Sequence, residues 1–99
     1  MLLRERQTGE GLLVSVCDAA CLGETYEEGA VSLDVTEAFY GGDDAAEADP
    51  DAVVESLTRA SVANIVGERS VSVAVEAGIV DEERVLSVDG TLHAQLVRM

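Results

Sequence analysis

Asn64-Ile65-Val66-Gly67-Glu68-Arg69-Ser70-Val71-Ser72-Val73-Ala74-Val75-Glu76-Ala77-Gly78 is the stretch on which the architecture turns. Val71, Val73, Val75 and Ala77 recur with the period of two of a half-buried strand. Val71, Ala74, Val75 and Gly78 fit equally well the i, i+3, i+4, i+7 spacing of one helix face. The β-branched residues favour the strand. Gly78 followed by Ile79 favours a helix closed by a left-handed residue and a hydrophobic contact. Pattern alone leaves both open. In the helical reading, Gly67–Ser70 lies at the helix N-terminus. Free backbone N–H groups, the Ser70 hydroxyl and Arg69 would then converge as an anion site. The plainer reading is a tight turn with Ser70 as an ordinary N-cap.

Upstream, Asp49-Pro50 starts a helix, with Asp as N-cap and Pro at the first helical position. Val53, Val54, Leu57 and Ala60 form its apolar stripe, and Gly67 is the residue that could end it. Downstream, residues 84–88 and 91–97 flank Asp89-Gly90, a strong hairpin signal. Leu92, Ala94 and Leu96 share one face of the last strand; His93, Gln95 and Val97 share the other. Toward the N-terminus, residues 2–7 and 12–17 read as strands joined through Gly9-Glu10-Gly11. Leu12, Val14 and Val16 share one face; Leu13, Ser15 and Cys17 the other. Asp18 can cap a single turn closed by Gly23. Val31, Leu33 and Val35 point inward from a third strand. Thr36 to Gly42 reads as a capped helical turn broken by two glycines, followed by an acidic loop, Asp43 to Asp49. No repeat, linker or second domain is visible. The expectation is one α+β domain, residues 1–99, with a mostly antiparallel sheet of about five strands and two main helices.

The chain has 99 residues, 47% of them apolar and 3% aromatic, so its core is aliphatic. That apolar content excludes a disordered tail. No apolar run is long enough for a membrane span, and two cysteines do not make a disulfide framework. Twenty acids face six basic residues, all arginine, for a net charge of −14. At low ionic strength such a load destabilises the folded state by self-repulsion. At about 1 M salt the Debye length falls to about 3 Å and the carboxylates hardly interact. The absence of lysine with this acid excess predicts a protein of a high-salt cytoplasm, where net charge no longer argues against an anionic partner. The first six residues are too short and too charged for a signal peptide. Cytoplasmic localisation, with Cys17 and Cys21 reduced, is the expectation.

The sequence carries no GxGxxG, Walker, HExxH or GxSxG motif. Cys17, Cys21 and the single histidine, His93, have loose spacing for zinc, so no metal and no cofactor are expected. Paired acids such as Asp43-Asp44 solvate a surface. More informative are two stretches poor in acid. From Ser56 to Val75 the only charges are Arg59, Glu68 and Arg69; from Gly90 to Met99 the only one is Arg98. Burial accounts for both if they are core helix and core strand. The functional alternative is a binding face that draws on Asn64, Gly67, Arg69 and Ser70 from the first stretch and His93, Gln95 and Arg98 from the second. Phe39, Tyr40, Gly41 and Gly42 form a secondary candidate.

Val16-Cys17-Asp18, Leu22-Gly23, Glu28-Gly29, Phe39-Tyr40-Gly41-Gly42, Ala63 through Val71 and His93 through Arg98 occur in an order that resembles a small archaeal family, domain of unknown function 424. The likeness covers about residues 2 to 98. The Phe39–Gly42 and Asn64–Val71 segments are its specific part. The missing lysines fit a halophilic member. The resemblance implies an intact α+β domain and shifts residues 70–77 toward helix. It brings no established activity. The analogy with small archaeal proteins of translation and RNA handling ranks the classes. First comes a non-enzymatic module for RNA or a ribonucleoprotein. A protein-interaction subunit of a larger complex comes second, and a small-ligand or anion-binding enzyme domain third. No membrane partner is expected, and the sequence fixes no oligomeric state.

Overall fold

The computed structural model describes residues 1–98. Among these the order is β1 (Leu2–Thr8), β2 (Gly11–Cys17), a 3-10 turn (Ala19–Cys21), β3 (Thr25–Glu28) and β4 (Val31–Asp34). Then follow α1 (Glu37–Tyr40), β5 (Ala46–Glu47), α2 (Pro50–Arg59), β6 (Val62–Val66) and α3 (Glu68–Glu76). A second 3-10 turn (Glu82–Arg84), β7 (Leu86–Val88) and β8 (Thr91–Val97) complete the chain. Six strands form one sheet in the order β5-β1-β2-β6-β8-β7, and β3 and β4 form a separate hairpin. The α+β class is as expected. The sheet is not the expected one: it has six strands and is mixed, because β2 and β6 run parallel. That pairing needs a long crossover, which residues 18–61 provide.

The segment read as the end of the first long helix is the central strand β6. Its helix stops at Arg59, because Ala60 is already extended (φ −67°, ψ 140°). Val62, Ile65 and Val66 are β-branched and suit a strand. This strand is hydrogen-bonded on both sides, and Ala63, Ile65 and Val66 are fully buried. Apart from Asn64 the strand is one short apolar run, and such a run cannot by periodicity be told from the end of a buried helix.

The disputed stretch is helical. Val71 and Ala74 of α3 face the core, and Gly78 takes the left-handed conformation (φ 73°) that closes a helix. The Asp89-Gly90 hairpin also forms as read, with both residues at positive φ (49° and 83°). Leu33 of β4 and Val35 just after it turn inward; Val31, expected there too, is half exposed.

Helices α2 and α3 pack on one side of the sheet. Val53, Leu57, Val71 and Ala74 meet Val14, Val16, Ala63, Ile65 and Ala94 there. On the other side a smaller core of Cys17, Cys21, Val35, Tyr40 and Val66 lies beneath the β3–β4 hairpin and α1. This cover is partial, and part of the sheet stays open. Among the described residues no helix is long and apolar enough to cross a membrane.

Candidate functional site

Strands β2 and β6 are parallel, so their carboxyl ends lie side by side, a recurrent place for anion binding in α/β sheets. Asp18 follows β2, and Gly67 and α3 follow β6. The Asp18 carboxylate accepts hydrogen bonds from the N–H of Arg69 (3.0 Å), the N–H of Ser70 (2.8 Å) and the Ser70 hydroxyl (2.7 Å). Gly67 holds φ 110°, and a Cβ there would sit 2.3 Å from Asp18 Cγ. The chain thus supplies its own anion to this helix N-terminus. Gly67 and Ser70 are engaged in that internal cap. Arg69 contributes its backbone N–H, and its side chain is exposed.

Arg98 is engaged elsewhere. Its Nη1 donates to the carbonyls of Leu57 (2.8 Å), Thr58 (3.3 Å) and Ala60 (2.8 Å). A guanidinium on the last carbonyls of α2 closes that helix and complements its dipole. The expected set of seven residues therefore splits. Gly67, Arg69 and Ser70 gather at the start of α3, and Arg98 at the end of α2. Asn64, His93 and Gln95 come together on the open side of the sheet.

The register lines up that open side in rows. Arg4, Ser15, Asn64 and Gln95 lie in one row across β1, β2, β6 and β8. Arg6, Leu13, Val62 and Val97 form the row on one flank. Leu2, Cys17, Val66, His93 and Leu86 form the row on the other. Gln95 Nε2 donates to Asn64 Oδ1 at 3.0 Å. His93 is half-buried and its Nε2 has no partner; burial lowers its pKa, keeping the imidazole neutral. Arg4 Nε, Arg6 Nε and Nη2, and Ser15 Oγ are likewise buried without partners. Every buried side-chain polar atom lacking a partner among the described residues lies on this one side. Such groups cost free energy when left unpaired.

Phe39 and Tyr40 of α1 border the same side. Their rings meet edge-on at 5.0 Å, and the Arg6 guanidinium lies 4.9 Å from the Phe39 ring centre. Tyr40 belongs to the smaller core, where burial pushes its hydroxyl up to about 12, with Cys17 adding. Gly41 and Gly42 end α1. Arg4, Arg6 and Ser15 are the residues sequence reasoning missed. The hairpin register could have found them: Arg4 and Arg6 alternate with Leu3 and Glu5, and Arg4 faces Ser15.

Both cysteines are free and buried. Burial pushes the Cys17 thiol up to about 11, with Cys21 and Asp18 adding, which suits a core residue rather than a nucleophile. Among the described residues no three His, Cys, Asp or Glu side chains are grouped to hold a metal.

Fold and site together define an α+β domain with one helix-covered side and one open side rich in hydrogen-bonding groups. The chain belongs to the family described as Protein of unknown function (DUF424), whose profile matches residues 5–99. It is also similar to a solved structure, that of an uncharacterized conserved protein from Methanopyrus kandleri. The identity is 28% and the TM-score 0.74, over 96% of this chain and 88% of that one. No curated protein matches the chain.

Proposed function

We propose that this protein is a non-enzymatic module that binds an RNA segment, free or within a ribonucleoprotein, on the open side of its sheet. The observation that carries this is the composition of that side. In a chain of net charge −14, the β1, β2, β6 and β8 residues facing it include two arginines, His93, Asn64 and Gln95, and no carboxylate. Asn64 and Gln95 on the uncovered part of the sheet, with Arg6 and the Phe39 ring at its border, are suited to the exposed edges of unstacked bases. The acid load and the lack of lysine support a setting of concentrated salt, and the two free cysteines support a reducing cytoplasm. In such salt the general phosphate attraction is weak, so short directional contacts must supply the affinity. A fluorescein-labelled decauridylate titrated in molar KCl should show saturable anisotropy. Asn64→Ala with Gln95→Ala should weaken binding by about tenfold or more, the loss of roughly one good base contact. Absent binding, or equal affinity in the double variant, would overturn the reading.

One observation favours a second reading, a protein partner. Val97 and Leu86 lie on the same side and are 66% and 57% exposed. Exposed apolar side chains flanking uncharged polar residues are what a protein interface offers. Co-purification with one stoichiometric protein, with no RNA bound, would select it.

A further inference from the structure

We propose that Arg4, Arg6 and Ser15 form a binding site for one phosphate-type oxyanion, on the open side of the sheet beneath α1. The site stands whether or not RNA is the partner. Arg4 and Ser15 are opposite one another across the β1–β2 pair, and Arg6 is the next residue of β1 on that side. Direct cross-strand neighbours place their Cβ atoms about 5 Å apart, so donors of these side chains can meet on one tetrahedral group. Ser15 is 1% exposed, and its hydroxyl has no partner. Arg4 has a side chain only 15% exposed, and its Nε is unpaired. Arg6 has two unpaired nitrogens and makes no ion pair among the described residues. Two neighbouring guanidinium groups, largely out of water and short of acceptors, form an arrangement that an oxyanion completes.

What holds this region closed is slight. Arg4 Nη1 donates to the Ala38 carbonyl, the Phe39 ring lies on Arg6, and α1 is a single turn. One carboxylate, Asp44, stands 3.8 Å from Arg4 Nη2, on an exposed side chain. A cleft of about 640 Å³ along the outer side of β1 reaches Arg6, Asp44 and Glu5. Glu5 is turned away, since it pairs with Arg59 on the helix side. The ligand enters from this cleft, moves Phe39 off Arg6 and displaces Asp44 from Arg4. Asp44 is therefore a competitor for the site.

The test is titration of inorganic phosphate into the full chain in molar KCl, followed by calorimetry and by thermal unfolding at matched ionic strength. Phosphate should bind and raise the melting temperature above the KCl control. Arg6→Gln and Ser15→Ala should each weaken it by about tenfold. Ser15→Ala removes only a hydroxyl without a partner, so the variant should fold even if Arg6→Gln does not. Asp44→Asn should tighten binding. A decauridylate arm separates the sources. If it competes with phosphate, the site takes a phosphodiester; if phosphate binds and decauridylate does not, the ligand is a free oxyanion and the RNA reading fails alone. No phosphate-specific effect, or one unchanged in Ser15→Ala, would overturn the proposal.

Discussion

Asp18→Ala should lower the free energy of unfolding by about 3 kcal/mol, because it removes a helix cap and leaves buried groups unpaired. The Asp18 carboxylate receives three hydrogen bonds from Arg69 and Ser70, and Ser70 is fully buried, so water cannot replace the lost acceptor at its hydroxyl. The cap also joins the carboxyl end of β2 to the start of α3, across the one parallel pair in the sheet. Asp18→Asn keeps one side-chain oxygen and should recover part of the loss. Urea unfolding in molar KCl, extrapolated linearly, measures both. A loss below about 1 kcal/mol, the scale of an ordinary surface change, would contradict this role.

Transfer from molar to about 0.1 M KCl should lower the melting temperature by on the order of 10 °C, as the Debye length grows from about 3 to about 10 Å. The ion pairs among the described residues engage only Asp44, Glu5 and Glu55. Most of the 20 acids therefore repel one another with no fixed cation to offset them. Arg59, held between Glu5 and Glu55, and Arg98, on the end of α2, are already engaged. Differential scanning calorimetry across a KCl series is the measurement. A melting temperature that does not change with salt would contradict the high-salt reading.

Local chemistry made much of the fold legible. Asp49-Pro50 and Asp89-Gly90 specify a helix start and a tight turn by backbone preference, and both form where the residues stand. The faces read for β2 and β8 also hold, because alternation is intrinsic to a strand. The pattern at 70–77 left strand and helix open, and the family resemblance shifted it toward the helix that forms at 68–76, where Gly78 takes the left-handed closing conformation. What could not be read was β6. Its neighbours, β2 and β8, are distant in sequence, and its short, almost wholly apolar run follows the apolar stripe of α2 with no Gly or Pro between them. Losing β6 also hid the parallel pair, and with it the partner of the α3 N-terminus, Asp18. Nothing local to Asp18 shows that its carboxylate reaches residues 69 and 70. The acid-poor stretches were visible, and burial accounts for part of each. Ala63, Ile65 and Ala94 are core, whereas Asn64, His93 and Gln95 alternate with them on the open side. Arg98 was invisible as a cap because its acceptors are carbonyls about 40 positions away.

Amide and side-chain NMR of the isotope-labelled chain tests most directly whether the open side of the sheet is the surface that meets a partner. Decauridylate added in molar KCl should shift the signals of Asn64, His93, Gln95 and Arg6, and leave those of α2 and the exposed side of α3 unmoved. Shifts confined to the helical side, or to Arg69 and the start of α3, would contradict a binding role for the open side, as would a spectrum that does not change.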